Sequence, residues 1–134
     1  MNIKYMKLQI DMIGVITHQL ATMRDFYTQA IGLEVLEEME NYIEFKHGGV
    51  RFALSTNKVM KNTTGDKSYD DVKGGQSFEL VFKVANPTEL DEAYAHVIEK
   101  GALKIKGPED KPWGQRAAFF ADPDGNIHEI FCDL

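Results

Sequence analysis

The chain has 134 residues, of which 43% are hydrophobic and 27% are charged. This length favours a single domain whose core needs no disulfide or structural metal. The formal net charge is −6 and no basic patch runs along the chain, which argues against a nucleic-acid partner. No stretch approaches the roughly 20 apolar residues that cross a bilayer, so we expect no membrane partner.

The two ends of the chain bear on location and thiol chemistry. Residues 1–16 contain Lys4, Lys7 and Asp11, which interrupt the continuous apolar segment that a signal peptide needs. We therefore expect a cytoplasmic protein. Cys132 is the one cysteine, so no internal disulfide can form, and we expect an inert thiol because no flanking pattern marks a nucleophile.

The first half of the chain predicts one helix with strands on both sides. Apolar residues recur at three- and four-residue intervals between Met23 and Ile31, and Gly32 is placed to end this helix. One strand-like segment precedes the helix and three follow it. These segments are residues 7–17, 33–39, 41–48 and 50–56.

The second half predicts the same order with a stronger helix signal. Asn86 suits the N-cap, Pro87 the first helical position and Glu89 the third position of a capping box, and Gly101 suits the C-terminal stop. Again one strand-like segment precedes the helix and three follow it. These segments are residues 77–84, 103–107, 116–122 and 126–131.

The repeated order β-α-β-β-β predicts a duplicated unit within one domain over residues 1–134. Module one covers about residues 5–56 and module two about residues 77–133. Residues 57–76 between them are polar and rich in Gly, Lys and Asp, which is typical of a linker or mobile loop. Such a segment is long enough to fold over a pocket, although the sequence does not decide whether it does.

A carboxylate stands in the apolar pattern of the last strand. The sequence "DPDG" at 122–125 has the residues of a tight turn between two strands. Alternation beyond that turn puts Ile127, Glu129 and Phe131 on one face of the strand. Carboxylates seldom point into an apolar setting without a partner, so Glu129 is a candidate functional residue.

Two further stretches, "FYTQAIGLEV" and "PWGQRAAFFADPDGNIHEIF", make the chain similar to the vicinal-oxygen-chelate superfamily. This superfamily includes glyoxalase I, fosfomycin- and bleomycin-resistance proteins, methylmalonyl-CoA epimerase and extradiol dioxygenases. The resemblance implies an α+β fold of two βαβββ modules, each curling a mixed sheet into half of an open cup with the helices outside. It also implies a homodimer, because small members usually build their cups from paired modules.

The resemblance places four metal-ligand positions at Met12, Ala53, Glu79 and Glu129. Two of these residues can ligate a metal, both are carboxylates, and neither supplies the imidazole that Zn, Ni or Fe sites favour. We therefore expect no catalytic metal and no other cofactor. The alternative is a weakly held divalent metal on Glu79 and Glu129. The four histidines are expected to be surface or structural residues: His18, His47, His96 and His128.

Without a metal, the cup is predicted to bind an organic molecule. Its expected lining is apolar, with Ile127 and Phe131 near the two glutamates, and such a pocket suits a hydrophobic ligand with or without a cationic group. Trp113 and Arg116 join the candidate ligand-binding residues because "PWGQR" resembles a "PWG-x-R" segment of bleomycin-resistance proteins. Equally, the glutamates could bond to Arg51 or Arg116, and Trp113 could pack on its own module or on the dimer seam.

The sequence therefore supports three functions. The leading hypothesis is a bleomycin-resistance-like homodimer that binds a small organic molecule at Met12, Ala53, Glu79, Trp113, Arg116, Glu129 and Phe131. The second is a lyase- or isomerase-like enzyme that uses Glu129 or Glu79 as a general base. The third is a scaffold protein with an empty cup. The identity of the ligand is not encoded in any of these patterns.

Overall fold

The computed structural model describes residues 7–134. Its strands are β1 Met12–Thr17, β2 Glu34–Met39, β3 Tyr42–Lys46, β4 Arg51–Thr56, β5 Val81–Lys83, β6 Leu103–Lys111, β7 Gln115–Ala121 and β8 Ile127–Asp133. Its helices are α1 Leu20–Gln29, α2 Asn57–Thr64 and α3 Pro87–Glu99, with a 3₁₀ turn over Lys67–Asp70. No helix in this described part of the chain is long and apolar enough to cross a membrane.

Each half of the chain forms a four-stranded mixed sheet. Module one, built from β1, α1, β2, β3 and β4, has the strand order β1-β4-β3-β2, and module two, built from β5, α3, β6, β7 and β8, has the order β5-β8-β7-β6. In both sheets the first strand runs parallel to the last, and the other neighbours are antiparallel. The predicted α+β architecture of two βαβββ modules is confirmed.

The predicted N-cap of α3 and the glycine stops of both long helices are confirmed, but the capping box is incomplete because the Glu89 carboxylate accepts from the N–H of Ala85 and not from that of Asn86. The side-chain oxygen of Asn86 accepts a hydrogen bond of 2.8 Å from the backbone N–H of Glu89 at the start of α3. Gly32 and Gly101 follow α1 and α3 with φ angles of 88° and 108°, a left-handed region that favours glycine. These local interactions fix the helix ends that position the strands.

The segment between the modules contains regular structure. Thr56 caps α2, because its hydroxyl accepts a 3.1 Å hydrogen bond from the N–H of Val59, and Gly65 ends the helix with a φ angle of 75°. Lys61 of α2 forms a 2.7 Å ion pair with Asp70 of the 3₁₀ turn. Most of residues 57–70 of the predicted linker is therefore regular structure, because threonine and glycine supply helix caps within a polar sequence.

Strand β5 is shorter than the predicted strand 77–84. The backbone N–H of Leu80 donates to the Nδ1 atom of His128 over 3.0 Å instead of to a neighbouring strand. The carbonyl of Leu80 still accepts from the N–H of Glu129. A side chain thus replaces one backbone bond of the ladder, and the regular strand begins only at Val81.

Both modules share one apolar core, because α1 packs against the sheets of both. The ring of Tyr27 lies 5.3 Å from the ring of Phe52 in β4, and the ring of Phe26 lies 6.3 Å from that of Phe120 in β7. The buried side chains of the two sheets and of α1 and α3 form a single cluster. The modules are therefore fixed relative to each other by burial.

The opposite face of each sheet points away from this core, because strand side chains alternate between the two faces. We name each such surface the cup face of its module. The cup face of module one includes Met12, Gly14, Tyr42, Glu44, Arg51 and Ala53, and that of module two includes Glu79, Val81, Phe119, Ile127, Glu129 and Phe131.

Candidate functional site

Glu129 lies in the middle of the cup face of module two. In β8 the residues Ile127, Glu129 and Phe131 are partly exposed and those between them are buried, as the alternation predicts. The strand register pairs Glu129 with Phe119 of β7 and with Val81 of β5. A half-buried carboxylate is therefore flanked by apolar side chains on three strands.

The surroundings of Glu129 disfavour an ionised carboxylate that has no hydrogen-bond donor or cation beside it. Burial raises the pKa of Glu129, the charge of Glu79 raises it further, and Lys111 acts in the opposite direction. Within residues 7–134, no side chain forms a hydrogen bond with the Glu129 carboxylate. The two arginines considered as partners are engaged elsewhere, Arg51 with Glu44 and Arg116 with Asp91. A hydrogen-bond donor or a cation would therefore stabilise the ionised carboxylate of Glu129.

An apolar cavity of about 360 Å³ opens beside this carboxylate. Its walls come from the approach to β5, from β7 and from β8, namely Gln76, Phe78, Glu79, Phe119 and Ile127. Phe119 and Ile127 also flank Glu129, so the cavity and the carboxylate belong to one surface. The structure brings Glu79 and Glu129 together at this surface, as the sequence predicts.

The cup face of module one has a different character. Met12 is partly exposed, and its sulfur atom accepts a 3.4 Å hydrogen bond from the hydroxyl of Tyr42. Ala53 is fully buried although it does not belong to the core cluster, and it pairs with Glu44 on β3. Side chains of the cup face therefore cover the position at which the resemblance placed a metal ligand.

Glu44 and Arg51 form a two-point ion pair on this face. The Nε and Nη2 atoms of Arg51 donate to Glu44 over 2.9 and 2.6 Å, and Nη1 donates to Asp11 over 2.8 Å. The hydroxyl of Tyr42 adds a 2.7 Å hydrogen bond to Glu44. The hydrogen bonds from Arg51, then that from Tyr42, lower the pKa of Glu44 to about 2 against an opposing effect of burial.

Sequence reasoning missed this ion pair. The signal was available in "YIEFK", where Glu44 stands between the core residues Ile43 and Phe45 as Glu129 stands between His128 and Ile130. Alternation therefore identifies both glutamates as cup-face residues. It does not show which of them has an arginine opposite.

The two cup faces offer few of the ligands that a catalytic metal needs. In the described range 7–134, no three His, Cys, Asp or Glu side chains converge closely enough to hold an ion. Glu79 and Glu129 offer two carboxylates, while the position of Ala53 offers no ligand and the guanidinium of Arg51 lies nearby on the same sheet. A cation would meet too few donors on one module and a positive charge on the other.

The three remaining candidate residues take separate positions. Phe131 lies on the cup face of module two, with the Nζ atom of Lys83 5.9 Å from the centre of its ring. Trp113 is 67% exposed in the turn between β6 and β7, where its indole N–H donates to Gln115. Arg116 lies on the helix side of β7 and donates to Asp91 of α3 over 3.0 Å. The structure therefore does not bring Arg116 to the cup face.

A family model described as "Glyoxalase/Bleomycin resistance protein/Dioxygenase superfamily" matches residues 9–130. The chain belongs to this superfamily. It is 33% identical over 111 residues to the "Uncharacterized protein YraH" of Bacillus subtilis (strain 168), which covers 80% of this chain and 84% of that protein. The superfamily's description spans several activities, so membership decides the fold and leaves the reaction to the residues of the site.

Solved structures support the same superfamily assignment. A glyoxalase/bleomycin resistance protein/dioxygenase from Nocardioides is similar at a TM-score of 0.84 and 27% identity, over 96% of this chain and 85% of that one. A glyoxalase/bleomycin resistance protein/dioxygenase family enzyme from Burkholderia phytofirmans PsJN reaches a TM-score of 0.85 at 20% identity, over 95% of this chain and 100% of that one. At the second identity the likeness shows the fold alone.

In this superfamily member, the "FY" and "DPDGN" stretches form one buried network. The hydroxyl of Tyr27 donates to Asp122 over 2.7 Å and lies 2.8 Å from the Nε2 atom of His128. Because Nδ1 of His128 accepts from Leu80, its proton is on Nε2, which donates to Tyr27. Asp122 also accepts from the backbone N–H and the side-chain amide of Asn126. Helix α1 of module one is thereby tied to the turn that precedes Glu129.

The network sets the charge state of its members. Burial alone would raise the pKa of Asp122, but hydrogen bonds from His128, Tyr27 and Asn126 outweigh it and hold that pKa below its ordinary value. Burial, and then the neighbouring Asp122, raise the pKa of Tyr27. Tyr27, Asp122 and His128 are fully buried and bonded to each other, so they hold the site in place and do not contact a ligand.

Proposed function

We propose that this superfamily member binds a small organic cation with a hydrophobic body in its cup, as a cytoplasmic homodimer and without a catalytic metal. The observation that carries the proposal is Glu129, a half-buried carboxylate on an apolar surface whose pKa is raised and which has no hydrogen-bonded side-chain partner within residues 7–134. A cationic ligand supplies the missing charge, and the apolar walls receive the rest of the ligand.

The physical argument concerns desolvation. An ionised carboxylate that is partly removed from water is costly unless a positive or hydrogen-bonding group replaces the water. On the cup face of module one Arg51 fills that role for Glu44, whereas Lys111 only partly offsets the charge around Glu129. A bound ammonium group at Glu129 would also be attracted by Glu79, so both carboxylates favour a cation over an anion.

The size and polarity of the surroundings agree with a small hydrophobic body. The shallow cavity of about 360 Å³ near Glu129 is open to solvent, so it would receive one face of a small hydrophobic body. Phe119 and Ile127 supply its apolar contacts, and Phe131 extends the apolar surface along β8. An aromatic ligand would therefore find both a place for its ring and a carboxylate for its ammonium group.

The homodimer is supported by the unpaired edges of the two sheets. Within residues 7–134, strands β1 and β5 each pair on one side only, and they leave Ile13, Ile16 and Val81 between 38% and 48% exposed. A second copy that covered these edges would bury the apolar side chains and satisfy the free backbone groups. It would also place a cup face of module one beside a cup face of module two.

Calorimetry with two matched probes tests the proposal. We expect phenethylamine to bind and 2-phenylethanol, its neutral analogue, to bind more weakly. Glu129→Gln should weaken phenethylamine about tenfold, equivalent to about 1.4 kcal/mol, and leave 2-phenylethanol unchanged. Glu34→Gln, which removes an exposed carboxylate from β2, is the matched control. Equal affinity of wild type and Glu129→Gln for phenethylamine would contradict the proposal.

A lyase or isomerase is the second candidate, with Glu129 as general base and a weakly held divalent ion on Glu79 and Glu129. The observation that favours it is the raised pKa of Glu129, because a general base works best with a pKa near the operating pH. Metal analysis of protein purified without chelators distinguishes the two. Stoichiometric Zn, Ni, Fe or Mn that is lost in Glu129→Ala would favour the enzyme.

A further inference from the structure

A larger cavity, of about 1070 Å³, lies between β1 and the segment that connects the modules. Gly14, Ile16 and His18 line one side of it, and Tyr69 and Phe78 of the connecting segment line the other. The turn between β7 and β8 contributes to the remaining wall. The connecting segment thus forms one side of an open cavity next to β1.

This cavity touches the cup face of module one at Gly14 but contains none of the candidate site residues. Its walls include neither Met12 and Ala53 of module one nor Glu79 and Glu129 of module two. Phe78 is the one residue that lines both this cavity and the smaller cavity beside Glu129. The inference below therefore does not depend on the proposed function.

The walls are held by specific hydrogen bonds across the two modules. The side chain of Gln76 donates to the carbonyl of Gly125 over 2.8 Å and accepts from the N–H of Ile127 over 2.9 Å. On the other side, the amide of Gln19 donates to Asp124 over 2.6 Å. Because both walls are anchored to the β7–β8 turn, the cavity exists before a ligand arrives, which lowers the entropic cost of binding.

The lining favours a particular ligand chemistry. Two aromatic side chains, Tyr69 and Phe78, offer faces for a planar ring. Amide and hydroxyl groups offer hydrogen bonds at the edges of such a ring, and they belong to Asn57, Ser68, Ser77 and Asn126. Two aspartates and one lysine complete the charged lining, which disfavours anionic ligands. We propose that this cavity binds an uncharged, planar aromatic molecule that carries an amide-like hydrogen-bonding group.

Two substitutions would test the role of the walls. A Cβ atom at position 14 would meet no other atom within 4 Å, and Gly14 does not need a positive φ angle, so Gly14→Val adds a branched side chain to the cavity lining without backbone strain. Tyr69→Ala removes one aromatic face from a partly exposed position. Lys58→Ala, an exposed residue of α2 that does not line the cavity, is the control.

The experiment is a titration of ¹⁵N-labelled protein with benzamide and with cyclohexanecarboxamide, which carries the same amide on a saturated ring. We expect benzamide to shift the backbone resonances of Gly14, Gly75 and Ser77 and to leave those of Glu129 and Phe131 in place. Cyclohexanecarboxamide should bind at least fivefold more weakly. Gly14→Val and Tyr69→Ala should each weaken benzamide at least threefold, and Lys58→Ala should not.

Three results would overturn the inference. The first is the absence of shifts up to the solubility limit of benzamide, and the second is equal affinity for the two amides. The third is a benzamide affinity that is unchanged in both Gly14→Val and Tyr69→Ala, which would mean that benzamide binds elsewhere. Retention of the wild-type circular dichroism spectrum by the two cavity variants shows that a lost affinity does not reflect unfolding.

Discussion

The cup faces of the two modules carry the same kind of residue in two different states. Glu44 on module one is buried, held by Arg51 and Tyr42, and has a pKa of about 2. Glu129 on module two is half-buried, has no hydrogen-bonded side-chain partner within residues 7–134, and has a raised pKa. Both stand on a strand of a βαβββ unit with core residues on either side in sequence.

The comparison shows that the two copies of a duplicated unit can differ in charge pairing: one keeps its cup-face glutamate in an ion pair, and the other does not. In module one the charge is neutralised within the sheet, so this face contributes to stability and needs no ligand. In module two Glu129 has no such partner within residues 7–134, and the proposed function assigns that role to a ligand. Perturbing either glutamate, or the network that holds the modules together, tests this difference.

The largest loss of stability is expected from Asp122→Ala, because this substitution removes the hydrogen bonds that join α1 of module one to the β7–β8 turn of module two. Asp122 accepts several hydrogen bonds, including a buried one from Tyr27 and two partly buried ones from Asn126. At about 0.5–1.5 kcal/mol for each bond, the free energy of unfolding should fall by about 3 kcal/mol. Urea denaturation measures this free energy. Tyr27→Phe, which removes one hydroxyl, should lower it by about 1 kcal/mol. A loss from Asp122→Ala no greater than that from Tyr27→Phe would contradict the prediction.

The second effect is expected from Arg51→Met, which leaves Glu44 without its ionic partner on module one. We expect a clear fall in Tm at pH 7, because a buried carboxylate without a partner is unfavourable. The double variant Arg51→Met/Glu44→Gln should recover most of it. The pKa of Glu44 falls from 4.5 to about 2 on folding, so the stabilisation is present above pH 4.5 and is lost as pH falls through about 2. Arg51→Met and wild type should therefore converge at the lowest pH.

On module two, Glu129→Gln should stabilise the fold, whereas Arg51→Met should destabilise it on module one. The folded pKa of Glu129 lies above its ordinary value of 4.5, so ionisation destabilises the fold once pH exceeds the folded pKa. The glutamine variant should be more stable than wild type at pH 7 by about 1 kcal/mol or less, because the residue is partly exposed. At pH 4 the carboxyl is largely protonated in both states, and the gain should vanish. A gain that is constant from pH 4 to pH 7 would show that charge is not its cause.

The smallest effect is expected from Lys111→Gln, which removes the one positive charge that lowers the pKa of Glu129. That pKa should rise further, and an NMR titration of the Glu129 side-chain carbon measures it. Lys100→Gln, an exposed residue that has no such effect on Glu129, is the control. An unchanged pKa of Glu129 in Lys111→Gln would mean that solvent screens the charge of Lys111. Glu129 would then be more exposed than its comparison with Glu44 of module one assumes.

Much of the fold could be predicted from the sequence because its signals are local. Helical spacing and caps gave α1 and α3, and alternation in β8 gave the face of Glu129. The site could be predicted less well, because its contacts depend on which strands become neighbours. The bond from Leu80 to His128 shortens β5, and the register of β7 against β8 places Arg116 beside Cys132 on the helix side. Neither is visible in the spacing of residues along a single strand.

The pair of Glu44 and Arg51 shows the same limit. The two residues are on different strands, and only the pairing of β3 with β4 brings them together. Their charges are opposite, but the chain contains many other acidic and basic residues, so opposite charge does not identify which two residues pair. Local patterns therefore predict which face a side chain occupies, and tertiary register decides its partner.

The bond between Tyr27 and Asp122 joins residues 95 positions apart, and this has a consequence for folding. Closing so long a loop is entropically costly, so the docking of α1 onto module two belongs late in the folding reaction. Until then, Phe26 and Phe120 remain exposed to solvent. We therefore expect that neither repeat folds by itself: an isolated half should associate with itself or with the complementary half, and two fragments divided near Gly65 should reassemble when mixed.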